Sequence, residues 1–329
     1  MLLKDLPKIE LHLHLDGSMR IETAMELANI SKEQASSQMM ADKKVSSLKD
    51  YLEKFNLPLA LLQTKENLKR VTKELLEDLQ KENVIYAEIR FAPILHTKNG
   101  LSLEEVINAV FEGAKEINNI KYNFILCMMR QDNFNTNKLI VDLAKKYLTK
   151  GVCAVDLAGD EHHFKTKEFE ELFNYVKQQN IPFTIHAGEA DGISSIKSAL
   201  SFGTKRLGHG IRIIEDKNII QQIKERNITL EVCPTSNLDT KVVTNPKDHP
   251  FFDLYKMNVL LTINTDNRTV SNTTLTKEYK FLENTFNLTI DDFIKCNENA
   301  IQAAFLSPKE KENLLASFKE ELRRAHETF

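Results

Sequence analysis

Eight short runs rich in aliphatic and β-branched residues recur along the 329-residue chain, and polar stretches with helical periodicity separate most of them. Apolar strands that alternate with helices are typical of a parallel sheet covered by helices. Eight such units predict a (β/α)8 TIM barrel of the α/β class, with residues 1–329 as a single domain. The predicted strands are Lys8–Leu15, Val84–Pro93, Tyr122–Arg130, Val152–Gly159, Pro182–Gly188, Arg206–Gly210, Thr229–Pro234 and Val259–Asp266.

The first connection is much longer than one crossover helix requires, since residues 16–83 separate the first two strands. We therefore expect a helical insertion after strand one, lying over the C-terminal face of the barrel. The insertion shows helical patterns at Val45–Phe55 and Glu66–Glu82. Extra C-terminal helices are predicted at Lys277–Phe286, Ile290–Phe305 and Pro308–His326. The remaining predicted helices are Leu103–Ile117, Asn137–Leu148, Lys167–Gln179, Ile193–Ser201 and Lys217–Arg226.

The charge balance argues against a polyanionic partner, because the formal net charge is -3. We therefore expect neither a nucleic acid nor a membrane surface as a partner. Lys4, Asp5, Lys8 and Glu10 interrupt any apolar run near the N-terminus, which is not the pattern of a secretory signal or a membrane span. A cytoplasmic protein is the expectation that follows.

The four cysteines are widely spaced and form no C-x-x-C pair. This spacing supports neither a disulfide framework nor a thiolate zinc site. We expect Cys127, Cys153, Cys233 and Cys296 to be small buried side chains.

Histidine and acidic residues cluster where the predicted strands end. His12 and His14 are two positions apart on strand one, so their side chains point to the same face. An isolated pair of this kind is more often packed than metal-bound, but His186 and Asp266 stand at two further strand ends. All strand ends of a barrel meet at one face, and three imidazoles with one carboxylate suit Zn2+. The sequence therefore predicts a zinc site.

Two residues near this site are candidates for moving protons. A zinc ion can lower the pKa of a bound water towards ~7, and the water's attack must then be coupled to proton transfer. Glu189 lies three residues beyond His186, and His209 stands between two glycines. The structural alternatives are a helix N-terminal carboxylate for Glu189 and a packed imidazole for His209.

Six motifs of the chain resemble those of the adenosine deaminase family and occur in the same order as in that family. The resemblance covers essentially the whole chain. Its motifs are Leu11–Gly17 (LHLHLDG), Asp156–Glu161 (DLAGDE), His186–Glu189 (HAGE), Gly208–Gly210 (GHG), Val232–Asn237 (VCPTSN) and Asn264–Asp266 (NTD).

The resemblance implies one Zn2+ per chain, bound by His12, His14, His186 and Asp266. It implies three catalytic roles. Glu189 would donate a proton to purine N1, His209 would orient the attacking water and help to remove its proton, and Asp266 would also hydrogen-bond that water. Ser236 would support Asp266.

The resemblance also implies which residues bind the substrate. The backbone N–H of Gly159 would face purine N3, Asp16 would bind a ribose hydroxyl, and His14 would face the substrate as well as the metal. Many members carry a second Asp that faces purine N7, where this chain has Asn267. An amide can donate to N7 directly, so we treat Asn267 as a substrate-binding variant.

The implied activity is hydrolytic deamination of adenosine, and of 2′-deoxyadenosine, to the 6-oxo nucleoside (inosine from adenosine) and ammonia in purine salvage. The alternative is deamination of adenine or of an aminofutalosine-like 6-aminopurine nucleoside. Relatives that act on adenine tend to carry Glu where this chain has Asp16, and AMP-specific members are much longer. A two-metal hydrolase would need a lysine at the end of strand four, and this chain has none there. A catalytically inactive member would lack a metal ligand or the acid, and neither is missing from the sequence.

The insertion also resembles the lid of the family. Leu48, Tyr51, Leu52 and Phe55 share one helix face. They would form a hydrophobic gate over the ribose, although the spacing alone favours a core-facing helix.

Overall fold

The strands form one parallel sheet in sequential order, from β1 to β8. The fold comes from a computed structural model that describes residues 2–42 and 44–327. The sheet curves into a nearly closed (β/α)8 barrel, as the sequence predicts, and each predicted strand overlaps an observed one. The strands are β1 (Lys8–His14), β2 (Val84–Phe91), β3 (Lys121–Met129), β4 (Val152–Ala158), β5 (Phe183–Ala187), β6 (Arg206–His209), β7 (Thr229–Val232) and β8 (Leu260–Ile263).

The last and first strands meet at a seam that is held partly by side chains. The backbone N–H of His14 donates to the carbonyl of Asp266 at 2.7 Å, and the N–H of Asp266 donates to the carbonyl of His12 at 2.9 Å. Below them, Asn264 Oδ1 accepts the backbone N–H of Leu11 at 3.0 Å. A side chain therefore replaces a strand partner where β8 is too short to pair with all of β1.

Helices cover the outside of the barrel and part of its C-terminal face. Every predicted helix is present, with the segment Val45–Phe55 forming a short α-helix followed by a 3-10 turn at Glu53–Phe55. The helices are α1 (Ile21–Ala28), α2 (Lys32–Met39), α3 (Leu48–Leu52), α4 (Asn56–Leu61), α5 (Lys65–Lys81), α6 (Leu103–Lys115), α7 (Phe134–Tyr147), α8 (Glu170–Gln178), α9 (Ile193–Phe202), α10 (Lys217–Glu225), α11 (Pro234–Asp239), α12 (Phe251–Lys256), α13 (Leu275–Phe286), α14 (Ile290–Ala303) and α15 (Pro308–Glu327). Within the described ranges, none of these is both long and apolar enough to span a lipid bilayer.

Several helices of the structure lie outside the sequence prediction. α2 buries only Ala35 and Met39, so its apolar stripe is too thin to detect. Its N-terminus does carry a readable signal, the reciprocal capping box of Ser31 and Gln34. α12 has six residues, too few for a helical period to emerge.

The interior of the barrel contains a buried network of opposite charges in place of a purely apolar core. Arg206 contacts Glu231 at 2.6 Å and Glu88 at 2.5 Å, while Arg90 contacts Glu231 at 2.8 Å. Each of these side chains is at most 1% exposed. Removing one partner of such a network typically costs ~3–5 kcal/mol, because the remaining charge is left buried and uncompensated. The network therefore holds the strands that carry the site in a fixed arrangement.

Candidate active site

Four side chains, from β1, β5 and the segment that follows β8, converge at the C-terminal mouth of the barrel. One ligand atom from each of His12, His14, His186 and Asp266 lies within 4.8 Å of the others. His14 Nε2 lies 3.3 Å from both His186 Nε2 and Asp266 Oδ1. His12 Nε2 is also 3.3 Å from Asp266 Oδ1. The structure thus brings together all four residues that the sequence analysis selected as metal ligands.

The atoms that face this point suit a metal ion. Among residues 2–42 and 44–327, His12 Nε2 and Asp266 Oδ1 are buried and have no hydrogen-bond partner. Buried polar atoms are normally paired, so these two atoms are available for coordination. Burial lowers the pKa of His14 well below its usual value, and the neutral imidazole is the form that binds metals.

An overlapping group places Cys233 and His209 beside His12 and Asp266. The Cys233 thiol already donates to the carbonyl of Glu231 at 3.6 Å, and burial raises its pKa well above the usual value. All four cysteines are buried and free. We therefore favour the group of three histidines and Asp266.

Two carboxylates and one hydroxyl contact the candidate ligands from behind and orient them. Glu231 Oε2 lies 2.9 Å from His12 Nδ1, and Asp156 Oδ2 lies 2.9 Å from His186 Nδ1. Ser236 donates its hydroxyl to Asp266 Oδ2 at 2.6 Å, which agrees with the position expected for it. Carboxylates behind metal-binding imidazoles fix the ring orientation and raise ligand basicity.

The roles of Glu231 and Asp156 were missed in the sequence analysis. Burial alone would raise the pKa of Glu231, but the neighbouring guanidinium groups of Arg206 and Arg90 hold it well below the usual value. Burial likewise opposes ionisation of Asp156, while His186 and Arg90 lower its pKa. The available signal was an acidic residue inside a short apolar strand, since a buried carboxylate needs a cation or a ligand beside it.

Glu189 and His209 lie close to each other in the same cavity as the candidate ligands. Glu189 Oε2 is 3.5 Å from His209 Nε2, and both side chains are buried. Burial, the charge of Asp266 and the charge of Glu161 raise the pKa of Glu189 well above its usual value. Burial lowers the pKa of His209 well below its usual value. The site therefore shifts Glu189 towards the neutral carboxylic acid and His209 towards the neutral imidazole.

The backbone is strained at two of these residues. His209 and Asp266 both have φ of 60°, in the left-handed region that non-glycine residues rarely adopt. Such strain costs of order 1–3 kcal/mol and persists where surrounding contacts over-determine the conformation. The Asn237 side chain, 3.1 Å from His209 Nδ1, is one such contact.

The residues expected to bind the substrate line one cavity of about 350 Å³ with the groups described above. This volume lies within the usual range of ~300–1,000 Å³ for small-molecule sites. The lining includes His14, Asp16, Gly159 and Asn267. Burial raises the pKa of Asp16 to about 6. The structure thus places every residue of the predicted site at one end of the barrel.

The helical insertion covers this cavity. Leu48, Tyr51, Leu52 and Phe55 all line it, and they pack with Val45 and Val270 in a small apolar cluster. The apolar face therefore serves both as a packing surface and as a cavity wall. It has features of both alternatives from the sequence, a core-facing helix and a gate over the cavity.

The polar end of Tyr51 connects the lid to the β8 seam. Asn267 donates from Nδ2 to the Tyr51 hydroxyl at 3.1 Å, and that hydroxyl lies 2.8 Å from Ser271 Oγ. In the sequence, Tyr51 is recognisable only as part of an apolar helix face, so this polar link was not predicted.

A larger groove of about 1020 Å³ lies at the opposite end of the barrel. It is lined by the N-terminal ends of strands and by the connection between α14 and α15. None of the converging residues borders it. Active sites of such barrels lie at the C-terminal face, so the smaller cavity is the candidate active site.

Comparison with known proteins agrees with this arrangement. A family model described as adenosine deaminase matches residues 7–321. A curated adenosine deaminase of Clostridium perfringens is 42% identical over 327 residues, covering 96% of this chain and 98% of the relative. One from Clostridium botulinum is 43% identical over 332 residues, covering 97% and 98%. The apo structure of an N6-methyl-AMP deaminase from Arabidopsis thaliana is 28% identical, covers 97% of both chains and superposes with a TM-score of 0.86. The chain belongs to the adenosine deaminase family.

Proposed function

We propose that this protein catalyses the hydrolytic deamination of adenosine and 2′-deoxyadenosine to the 6-oxo nucleosides and ammonia in purine salvage, with one Zn2+ per chain. The observation that carries the proposal is the convergence of His12, His14, His186 and Asp266 beside the buried carboxyl of Glu189. The family model and the Clostridium relatives at 42–43% identity support the same activity.

The four converging side chains would hold the zinc ion. Imidazole nitrogens and a carboxylate oxygen are ligands that zinc prefers, and His14, His186 and Asp266 line the cavity. When bound, the ion supplies Lewis acidity that makes water a nucleophile near neutral pH.

Glu189 would act as the general acid. Carbon 6 of adenine is a poor electrophile, and protonation of N1 relieves the negative charge that attack places on the ring. The raised pKa of Glu189 shifts its carboxyl towards the protonated form that can donate this proton. His209 would accept a proton from the attacking water at Nε2, because its neutral imidazole faces the same space.

The cavity wall would select and orient the nucleoside. The Asp16 carboxyl would bind a ribose hydroxyl, and the backbone N–H of Gly159 would face purine N3. The Asn267 amide has two N–H groups, and one donates to Tyr51, which leaves the second for purine N7. The apolar face of α3 and the following turn would exclude water from the reacting atoms.

The charge of the lining favours a nucleoside over a nucleotide. No lysine or arginine is among the cavity-lining residues in the part of the chain that the structure describes, whereas Asp16 and Asp160 both border the cavity. A phosphate group needs a cation or an array of N–H donors, and carboxylates repel it. The name of the Arabidopsis relative specifies a nucleotide, so AMP is a necessary comparison substrate.

The test is a direct assay of four substrates. Purified protein would be incubated with adenosine, 2′-deoxyadenosine, adenine or AMP, with ammonia release and the ultraviolet change followed in parallel. We expect rapid turnover of the two nucleosides, loss of activity with a chelator, and about one zinc per chain by elemental analysis. Preferred turnover of adenine or AMP, or full activity in zinc-free protein, would overturn the proposal.

Asp16→Ala gives a second test of substrate choice. It should raise KM for adenosine by ~10-fold or more, since a lost hydrogen bond to a charged group costs ~1.5–3 kcal/mol. The residual turnover of adenine, which has no ribose, should change little. Equal effects on both substrates would remove Asp16 from the ribose contact.

A further inference from the structure

A buried carboxylate that the mechanism does not use lies beneath the loop that carries Glu189. Glu161 follows β4 and is 1% exposed. Its Oε1 accepts the backbone N–H of Gly188 at 2.6 Å. Its Oε2 accepts three more backbone N–H groups, from Glu189 at 3.0 Å, Ala190 at 2.7 Å and Asp191 at 3.1 Å. Four successive donors therefore converge on one side chain.

Consecutive backbone N–H groups that point to one place form an anion-binding nest. Here the anion is the chain's own carboxylate, which comes from a different βα loop of the barrel. Within residues 2–42 and 44–327, these four N–H groups donate to no other acceptor. Buried backbone donors must be paired, and bonds to an ionised acceptor are about twice as strong as neutral ones. Glu161 is therefore the main constraint on the conformation of residues 188–191.

The same loop is held from its other side. Arg212 Nε donates to the carbonyl of Glu189 at 3.1 Å, and Lys165 Nζ lies 3.2 Å from Asp191 Oδ1. Gly188 has φ of 77°, and a Cβ there would lie 2.4 Å from Ile196 Cδ1. The backbone of Glu189 is thus fixed at both its N–H and its carbonyl, although no helix or strand includes it.

We propose that Glu161 is a positioning residue, which holds the Glu189 carboxyl at purine N1 by binding the backbone of residues 188–191. The proposal rests on the proposed function, in which Glu189 protonates N1. Without the carboxylate, the four donors must turn to water or to new acceptors, which moves the Glu189 side chain. A displacement of about 1 Å at a reacting group can cost ~10²-fold in rate.

The first test compares Glu161→Gln and Glu161→Asp with wild type. An amide offers one acceptor oxygen and turns N–H groups towards the nest, so it cannot satisfy all four donors. We expect Glu161→Gln to lower kcat for adenosine by ~10–100-fold with KM changed less than about 3-fold and with zinc content unchanged. Glu161→Asp keeps both oxygens and should recover part of kcat. Wild-type kcat in Glu161→Gln, or a loss explained by missing zinc, would overturn the proposal.

Glu105→Gln is the matched control. Glu105 also accepts a backbone N–H, that of Ser102 at 2.9 Å in the capping box of α6, and it does not line the cavity. This variant should retain wild-type kcat. A similar loss in both variants would show that any missing carboxylate cap lowers the rate, which contradicts a specific role for Glu161.

A double-mutant cycle separates positioning from general stabilisation. If Glu161 acts through Glu189, Glu161→Gln should lower the rate by less than about 3-fold in a Glu189→Gln background. Multiplicative losses would mean that Glu161 acts independently of the acid, and the proposal would be wrong.

Amide hydrogen exchange tests the nest without any activity measurement. Peptides that contain residues 188–191 should exchange at least ~10-fold faster in Glu161→Gln than in wild type or Glu105→Gln, since the lost bonds are what protect these amides. Unchanged exchange would refute the proposed nest. A wild-type protein that fails to deaminate adenosine would instead refute the proposed function, so the two failures are distinguishable.

Discussion

Replacing Glu278 by Gln should change the free energy of unfolding relative to wild type, and this change should be more stabilising at pH 8 than at pH 5. Glu278 is a buried residue of α13 whose carboxylate accepts the backbone N–H of Thr235 at 3.1 Å and the hydroxyl of Thr273 at 2.6 Å. Burial raises its pKa from 4.5 to about 7. Gln can keep both contacts, because its oxygen accepts the N–H of Thr235 and its amide donates to the hydroxyl oxygen of Thr273.

The direction of this pH effect follows from the number of protons that Glu278 binds in the native and unfolded states. Between pH 4.5 and about 7 the native state holds more protons at Glu278 than the unfolded state, so stability falls as pH rises through this window. From pH 5 to pH 8 this single group removes about 2–3 kcal/mol of stability from wild type, at 1.36 kcal/mol per pKa unit. The Gln variant lacks this loss. Its advantage over wild type should therefore grow by the same amount.

The assay is urea unfolding followed by circular dichroism at both pH values. Glu22→Gln on the exposed start of α1 is the control for replacing a glutamate at the surface. A difference between Glu278→Gln and wild type that is equal at pH 5 and pH 8 would show that Glu278 ionises freely in the native state. That result would refute the reasoning from burial.

Three further outcomes are expected at the candidate site. Glu189→Gln should keep its zinc by elemental analysis but lose ~10²–10⁴-fold in adenosine turnover, and a normal rate would remove it as the acid. Ser236→Ala deletes the 2.6 Å bond to Asp266, so a chelator competition should show zinc bound ~10–100-fold more weakly, and unchanged affinity would contradict the supporting role. Gly17→Ala would place a Cβ 2.0 Å from Asn267 Oδ1, so the Asn267 side chain must move. We expect kcat/KM for adenosine to fall by ~10-fold or more. An unchanged kcat/KM would show that Asn267 does not contact the substrate.

The sequence was sufficient for the barrel and for the location of the polar residues, for identifiable reasons. Strands buried on both faces are rich in apolar residues, and β3, β4 and β8 show this pattern most clearly. The ends of parallel strands in a barrel meet by topology, so the convergence of His12, His186 and Asp266 could be deduced without any coordinates.

Other features depend on contacts that no local pattern encodes. The short helices α11 and α12 lack a full apolar period, and their positions depend on packing. Glu231 supports His12 only because two arginines from other strands neutralise it inside the barrel. Glu161 faces the backbone of a loop about 27–30 residues further along the chain. Each of these relations appears only when distant segments are placed together.

The seam between β8 and β1 has a consequence for how the protein is made. His12 and His14 leave the ribosome early, whereas Asp266 emerges only after the eighth strand. The two segments bond directly through their backbones, so the complete set of ligand side chains exists only once the ring has closed. A nascent chain that stops before residue 266 would offer three imidazoles without their carboxylate. All four side chains could therefore hold a metal ion together only after residue 266 has been made and the ring has closed.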